Sequence, residues 1–439
     1  MYEFRIARIE ALGSGDVTTV EDLTEVSPWF EFQPVAAPAS LQWTKGAPHG
    51  AWPVQREVGN VEESLTVWTE KPTQALRILT SALETATQWG LGFRRDMRLV
   101  AQIRRACQNP HYYEAQLYGG SAVPDGNARR IKVTWTREPY WRGPETLVPV
   151  RTAFNGAYSD YVTIYNHDDA EPNHNNFLFV QPPEGNVPAL TRIRINNSYP
   201  GTTRLNQIRI GWYDRPINLT LEGEDAAGVT ITSESGRSND AYGAAQTFEW
   251  EVAFNSVRDF VGPFRALANG GLTGQRWRVG VGYELTKLQY TRWVDGENGW
   301  TDLGMVMLPP GGYVHPLRYP FKVWLLGEDS TASLDFLHFV PMGQYRRMQF
   351  KGYNAVYGAC VEDDDIRGET VYDFGGERLP LLNTWGERIR LWPQRLLPAT
   401  SAGQMLTFNL NSENNTATPM RTAQVQIFAA ARWNGLPEA

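Results

Sequence analysis

The stretch 72–89 reads PTQALRILTSALETATQW and is the one long amphipathic pattern in the chain. Leu76, Leu79, Leu83 and Ala86 recur at spacings of three and four, so they form a single apolar stripe, which Ala75 and Ala82 widen. Such a stripe has to lie on a sheet. Pro72 suits the first helical position, where its missing N–H costs nothing, and Gly90 offers a residue able to turn left-handed and stop the helix. At about 1.5 Å per residue the helix is about 27 Å long, enough to cross about four or five strands spaced about 4.8 Å apart.

The chain around this helix reads as sheet. Its 439 residues include 16 Trp, 19 Tyr, 18 Phe, 40 Gly and 28 Pro, a composition that suits many short strands joined by tight turns. The length predicts two or three domains, each able to bury its own core. A net charge of −7 argues against a phosphate-binding surface spread over the whole molecule, although local basic patches remain compatible with it. No apolar run is long enough to span a bilayer, and the opening MYEFRIARIE has neither a basic leader nor an apolar core segment. Cys107 and Cys360 lie far apart in a chain that needs no staple, so no disulfide is expected between them.

Taken in order, residues 2–9 alternate as a first strand. Residues 34–53 hold four prolines yet also Trp43 and Trp52, and read as a long loop whose aromatics need a partner surface. NVEESLTVWTE (60–70) begins an alternation at Val61, Leu65 and Val67 and runs into the helix. Beyond it, residues 94–105 hold Arg94, Arg95, Arg98, Arg104 and Arg105 against a single Asp96. That run predicts a charged strand or a subunit contact ahead of a phosphate-binding surface. Ile131, Val133 and Trp135 form the cleanest period-two strand.

From about residue 150 only short strands follow, among them 160–167, 190–196, 206–214, 218–225, 246–254, 277–286, 303–310, 321–329 and 334–342, the spacing of a sandwich or jelly roll. DGENGW (295–300) reads as a hairpin tip. RIRLWPQ (388–394), MLTFNLN (405–411) and AQVQIFAAARW (423–433) read as closing strands. The fold expected is therefore mainly β, with an α+β first domain at 1–149, a jelly-roll-like β-sandwich at 150–345 and a C-terminal β region at 346–439.

Motifs that carry chemistry are absent: there is no GxSxG elbow, no phosphate-binding GxxxxGK[ST] loop, no HExxH and no CxxC. NHDDAEPNHNN (166–176) brings two histidines near carboxylates, but these residue types also build turns. The run Glu362, Asp363, Asp364, Asp365 lacks the ligand rhythm of a calcium loop and reads as a solvated acidic loop. Neither is taken as a metal site, and no cofactor or catalytic residue is expected. Trp212, Tyr213, Trp293, Trp300 and Trp324 are the aromatics that could supply a sugar platform, with Trp293 and Trp300 the candidate glycan contacts; taken singly, each reads first as core.

This order of parts, NVEESLTVWTE into PTQALRILTSALETATQWG, then WTREPYWRG, then a jelly-roll-like block, then RIRLWPQ and QVQIFAAARW, resembles the minor tail proteins of long-tailed bacteriophages. Within that group it is most similar to the distal tail protein, or tail hub, family. The resemblance implies a tail-tube-like β-sandwich with one helix that forms a ring of six, and a galectin-like or jelly-roll β-sandwich outside it. It implies a structural, non-enzymatic component of the virion, made in the host cytoplasm, whose partners are further copies of itself, the tail tube protein and the tail tip proteins. DNA would pass through without specific binding. Trp43, Trp52 and the five arginines are then the candidate interface residues, and Glu62, Glu63 and Glu70 the candidate lining of the lumen. The competing classes are a carbohydrate-binding adhesion module, which would engage a host surface glycan, and a jelly-roll glycoside hydrolase, which needs two carboxylates across a cleft.

Overall fold

The structure is a computed structural model that describes residues 2–10, 17–22, 29–32, 35, 39–47, 50–91, 97–105, 111–152, 156–165, 176–198, 205–213, 219–233, 241–252, 262–283, 288–308, 320–329, 331–350, 358–365, 368–373, 375–379, 383–397, 403–412 and 422–434. The protein is mainly β, with several antiparallel sheets and one α-helix among the described residues. The chain divides into two compact units: Met1–Thr146 with Pro183–Leu190 and Ala429–Ala439, and Leu147–Pro182 with Thr191–Phe428.

The first unit contains β1 (Tyr2–Glu10), β2 (Val17–Asp22), β3 (Trp29–Phe32), β4 (Ala39–Ala47), β5 (Gly50–Val58), β6 (Val61–Trp68), α1 (Pro72–Gly90), β7 (Met97–Arg105), β8 (Tyr113–Asp125), β9 (Asn127–Arg137) and β10 (Trp141–Val148). One sheet runs β2-β1-β7-β8-β10, and β3, β6 and β9 join the far half of β8. Aromatic rings fill the space between these strands: Phe4 lies 5.1 Å from Phe30 and 6.0 Å from Trp135, and Phe32 lies 6.2 Å from Trp141. The core continues into Ala75, Leu79, Ala82, Leu83 and Ala86 of α1, all buried, with Leu76 half-buried at the edge of the stripe.

α1 packs chiefly on β8, flanked by β7 and β9, and so meets fewer strands than its length allows. β8 explains this, because it serves both halves of the sheet and shifts register between Leu117 and Gly119. A Cβ on Gly119, whose φ is +142°, would stand 2.4 Å from Thr87 Oγ1 of the helix, and one on Gly120 would stand 2.2 Å from the carbonyl oxygen of Thr134. The two glycines thus let helix and β9 approach the kinked strand closely. Gly90 also differs from expectation. It is the last helical residue and does not turn left-handed; its use is proximity, since a Cβ there would lie 3.2 Å from the Tyr118 carbonyl oxygen.

Residues 34–53 are not a loop throughout. β4 and β5 form a two-stranded antiparallel hairpin that pairs with no other strand among the described residues. Pro53 lies opposite Trp43 where the register shifts, a position at which the missing N–H breaks no ladder.

In the second unit, one sheet runs Thr230–Ser233, Ala241–Ala245, Ala332–Pro341, Gly262–Gly271, Asn298–Leu308, and a second runs Thr247–Val252, Phe321–Gly327, Arg276–Gly282, Gln289–Tyr290. Phe248, Trp277, Val279, Val323 and Leu325 of the second share one core with Phe264, Trp300, Phe336 and Phe339 of the first, the arrangement of a β-sandwich. A six-stranded sheet that includes Leu205–Tyr213, Tyr345–Gln349 and Gln404–Ser412 contributes Tyr213, Tyr345 and Met405 to the same core.

Two expected elements take another form here. DGENGW is no hairpin tip, because Val294–Asp295 pairs with Arg276–Gly282 and Asn298–Leu308 pairs with Gly262–Gly271, so the segment carries the chain from one sheet to the other. Gly296 is needed there because a Cβ would fall 1.8 Å from the Leu272 carbonyl oxygen. RIRLWPQ has a single bridge at Leu391 in place of a ladder, and its Gln394 begins a 3-10 turn. Its alternation is real, with Ile389 and Leu391 buried, yet its backbone bonds to side chains: Thr191 Oγ1 donates to the Ile389 carbonyl, and Gln404 Nε2 donates to the Arg390 carbonyl at 3.3 Å.

Candidate functional site

Of the three glutamates expected on one surface, Glu62 and Glu70 are exposed but Glu63 is not. Its side chain and that of Arg137 are 0% exposed. Arg137 Nε donates to Glu63 Oε2 at 2.8 Å and Nη2 donates to Oε1 at 2.6 Å, while Trp135 Nε1 and the Val35 N–H donate to the same carboxylate. The guanidinium also lies 4.8 Å from the Trp141 ring centroid. Period two accounts for the placement: Glu63 is in phase with inward Val61, Leu65 and Val67, and Arg137 is in phase with Ile131, Val133 and Trp135. Removing one partner of such a pair strands a buried charge, a loss of about 3–5 kcal/mol.

β7, the arginine-rich stretch, is an internal strand paired to β1 and β8, with Leu99, Val100, Ala101 and Ile103 buried. Arg104 is half-buried, its guanidinium 4.6 Å from the Tyr112 ring, which Arg5 also meets at 4.4 Å. The backbones of Arg98 and Arg105 lie on β7 opposite Ile9 and Tyr2, whereas Arg94 and Arg95 lie outside the described residues. Trp43 and Trp52 are on the β4–β5 hairpin, Trp52 opposite Thr44. Cys107 and residues 166–175 also fall outside the described residues. The Cys360 thiol is free and half-buried, and burial pushes it up to about 11.

The acidic run is not a solvated loop. Glu362, Asp363 and Asp364 are buried on the strand Cys360–Asp364, and arginines meet Glu362 and Asp363. Arg192 and Arg194 reach Glu362 at 3.1 and 2.7 Å, Arg346 reaches Asp363 at 3.1 Å, and Arg390 reaches Asp365 at 3.3 Å. These carboxylates are neutralised by guanidinium groups brought from distant parts of the chain. Among the described residues no group of His, Cys, Asp and Glu is placed to hold a metal ion.

Trp300 is 0% exposed, edge-on to Phe336 at 5.2 Å, so it is a core residue and not a glycan contact. Trp212, Tyr213 and Trp324 are buried as well. Trp293 differs. It is half-buried and forms one side of a stack in which the Arg278 guanidinium lies 4.4 Å from its ring and 4.0 Å from that of Tyr290, which is 39% exposed. This stack stands on the outward face of the sheet Thr247–Val252, Phe321–Gly327, Arg276–Gly282, Gln289–Tyr290, opposite the core-facing Trp277 and Val279. Register places Glu249, Trp324, Gly280 and Tyr290 in one row across that face. Glu249 pairs with Lys322 and accepts from Trp324 Nε1 at 3.0 Å. Gly280 lets Tyr290 lie over the sheet, since a Cβ there would come within 2.9 Å of that ring. Sequence reasoning singled out Trp293 but not Arg278, whose only signal was its outward phase between Trp277 and Val279.

No family model and no curated protein matches the chain. Solved structures similar to it are hub and baseplate proteins of phages. The Dit protein of phage SPP1, described as a paradigm of the hub adsorption apparatus in phages infecting Gram-positive bacteria, is 9% identical over 97% of this chain and 98% of its own, with a TM-score of 0.31. Two structures of the phage P2 baseplate in its activated conformation, with Ca and with Sr, are each 11% identical over 78% of this chain and 98% of theirs, with TM-scores of 0.26 and 0.23. At TM-scores of this size no shared fold follows, and the functional reading stands on the chain's own residues. No helix among the described residues is long and apolar enough to cross a membrane.

Proposed function

We propose that the chain is a structural component of a phage tail tip or baseplate, and that copies of its first unit, the tube-like domain expected over 1–149, assemble into a ring joining the tail tube to the tip. The observation that carries this reading is the set of unpaired strand edges in the first unit. β2 and β3 each pair on one side only among the described residues, and the β4–β5 hairpin pairs only with itself. Edges of this kind invite further pairing, and closure into a ring lets neighbouring copies cover them. The copy number six, the tail tube and tip partners and the place in the virion come from the sequence resemblance.

In this arrangement Trp43 and Trp52 meet a neighbouring subunit, Glu62 and Glu70 face the bore, and Arg94, Arg95, Arg98, Arg104 and Arg105 serve contacts between copies or with the next ring. A carboxylate-lined bore lets DNA pass without sticking, since each neutralised phosphate would add a salt-dependent binding term. Light scattering over a concentration series, with electron micrographs of the same samples, tests this reading. A mass of six copies with ring-shaped particles is expected. A single-copy mass at the highest concentration, with no ring in the images, overturns it.

A further inference from the structure

The arginines on the sheet faces of the second unit are generally held by carboxylates: Arg276 by Glu328, Arg265 by Asp302, Arg346 by Asp363. Arg278 is an exception. Among the described residues no carboxylate or hydrogen-bond acceptor meets it, and its contacts are the two rings of Tyr290 and Trp293. Its Nε is buried without a partner, whereas its terminal nitrogens reach solvent. A guanidinium held 4.0 and 4.4 Å from two ring centroids has lost part of its freedom before any ligand arrives, and a guanidinium carries paired N–H donors with the spacing of a carboxylate or phosphate.

We propose that the Arg278–Tyr290–Trp293 stack is a binding site for an acidic saccharide, with the guanidinium taking the carboxylate or phosphate and the exposed ring of Tyr290 covering the apolar C–H face of the sugar. The charge pattern of the surrounding face selects this class. On the same outward face Lys322 is paired with Glu249 and Arg276 with Glu328, so among the described residues Arg278 offers one unpaired cation, suited to a single anionic group among neutral hydroxyls and not to a polyanion such as nucleic acid. The paired Glu249 and Lys322 supply the hydrogen-bonding groups that hydroxyls require. Nothing in this site depends on ring formation, so a single copy is competent to bind.

Calorimetric titration of the full chain with glucuronic acid, glucose 6-phosphate, glucose, inorganic phosphate and an oligoglutamate peptide tests the proposal. At least one acidic sugar should bind more tightly than glucose and than phosphate alone; the stronger of the two identifies a carboxylated or a phosphorylated saccharide. Arg278→Gln should weaken that binding about ten- to a hundredfold, and Tyr290→Ala, a change at an exposed ring, should weaken it as well. If Arg278→Gln fails to fold, Tyr290→Ala decides. Failure of both acidic sugars to bind the wild type, binding of glucose or phosphate equal to theirs, tighter binding of the peptide, or unchanged affinity in Tyr290→Ala each overturns the assignment.

Discussion

At the scale of single residues, His338 shows how a buried polar group is made tolerable. Tyr213 has one hydroxyl proton and donates it to the Phe339 carbonyl at 2.5 Å, so Nε2 of His338, 2.7 Å away, carries the ring proton. Nδ1 is then the acceptor for Thr220 Oγ1 at 2.8 Å. Burial lowers this imidazole to about 3. Because the folded value lies below the unfolded one, the unfolded chain binds the extra proton, and the stability is present above about pH 6.5 and lost as pH falls towards 3. Between about pH 7 and about pH 5 the second unit should lose about 2 kcal/mol. Denaturant titrations at both pH values check this, with His338→Gln as the comparison, since glutamine retains a donor and an acceptor but does not titrate. An equal loss in the variant would remove His338 as the cause.

At the scale of elements, α1 owes its position to its stripe. Leu79 is fully buried between the helix and β8, so Leu79→Ala should destabilise the first unit by about 2–5 kcal/mol, read from its unfolding midpoint. A loss below about half a kcal/mol would mean that the helix does not dock through this face. The helix and the strand over 127–137 were legible in the sequence because their periods are local properties of consecutive residues. β8 was not. Only contact with Thr87 and Thr134 shows that its glycines at 119 and 120 permit close packing within a strand. RIRLWPQ failed in the opposite sense, since its period was right but, apart from a single bridge at Leu391, side chains bond its backbone in place of a ladder.

At the scale of the whole molecule, the chain returns to the first unit at Pro183–Leu190 and at Ala429–Ala439, so neither unit is one continuous segment. The hairpin is local by comparison, running over 39–58 and pairing only with itself among the described residues. Replacing 39–58 with a short glycine–serine linker should therefore leave a folded chain that no longer assembles. Circular dichroism and light scattering would check both halves of that statement, and assembly at the wild-type mass would remove the hairpin from the proposed interface.

What the amino-acid sequence determined by itself is what depends on near neighbours: mainly β composition, the single amphipathic helix, and the inward phase of most strands. Even the buried phase of Glu63 and Arg137 was present in the alternation. Tertiary structure alone decided which charge meets which. Glu63 finds Arg137 across 74 positions and Glu362 finds Arg192 across 170, so the same carboxylates that read as a lumen lining and a solvated loop are interior ion pairs. It also left Arg278 without a carboxylate among the described residues, against the rings of Tyr290 and Trp293. The physical reason is that a charge is costly to bury alone and ordinary on the surface, and its partner, unlike its period, is not encoded in the residues beside it.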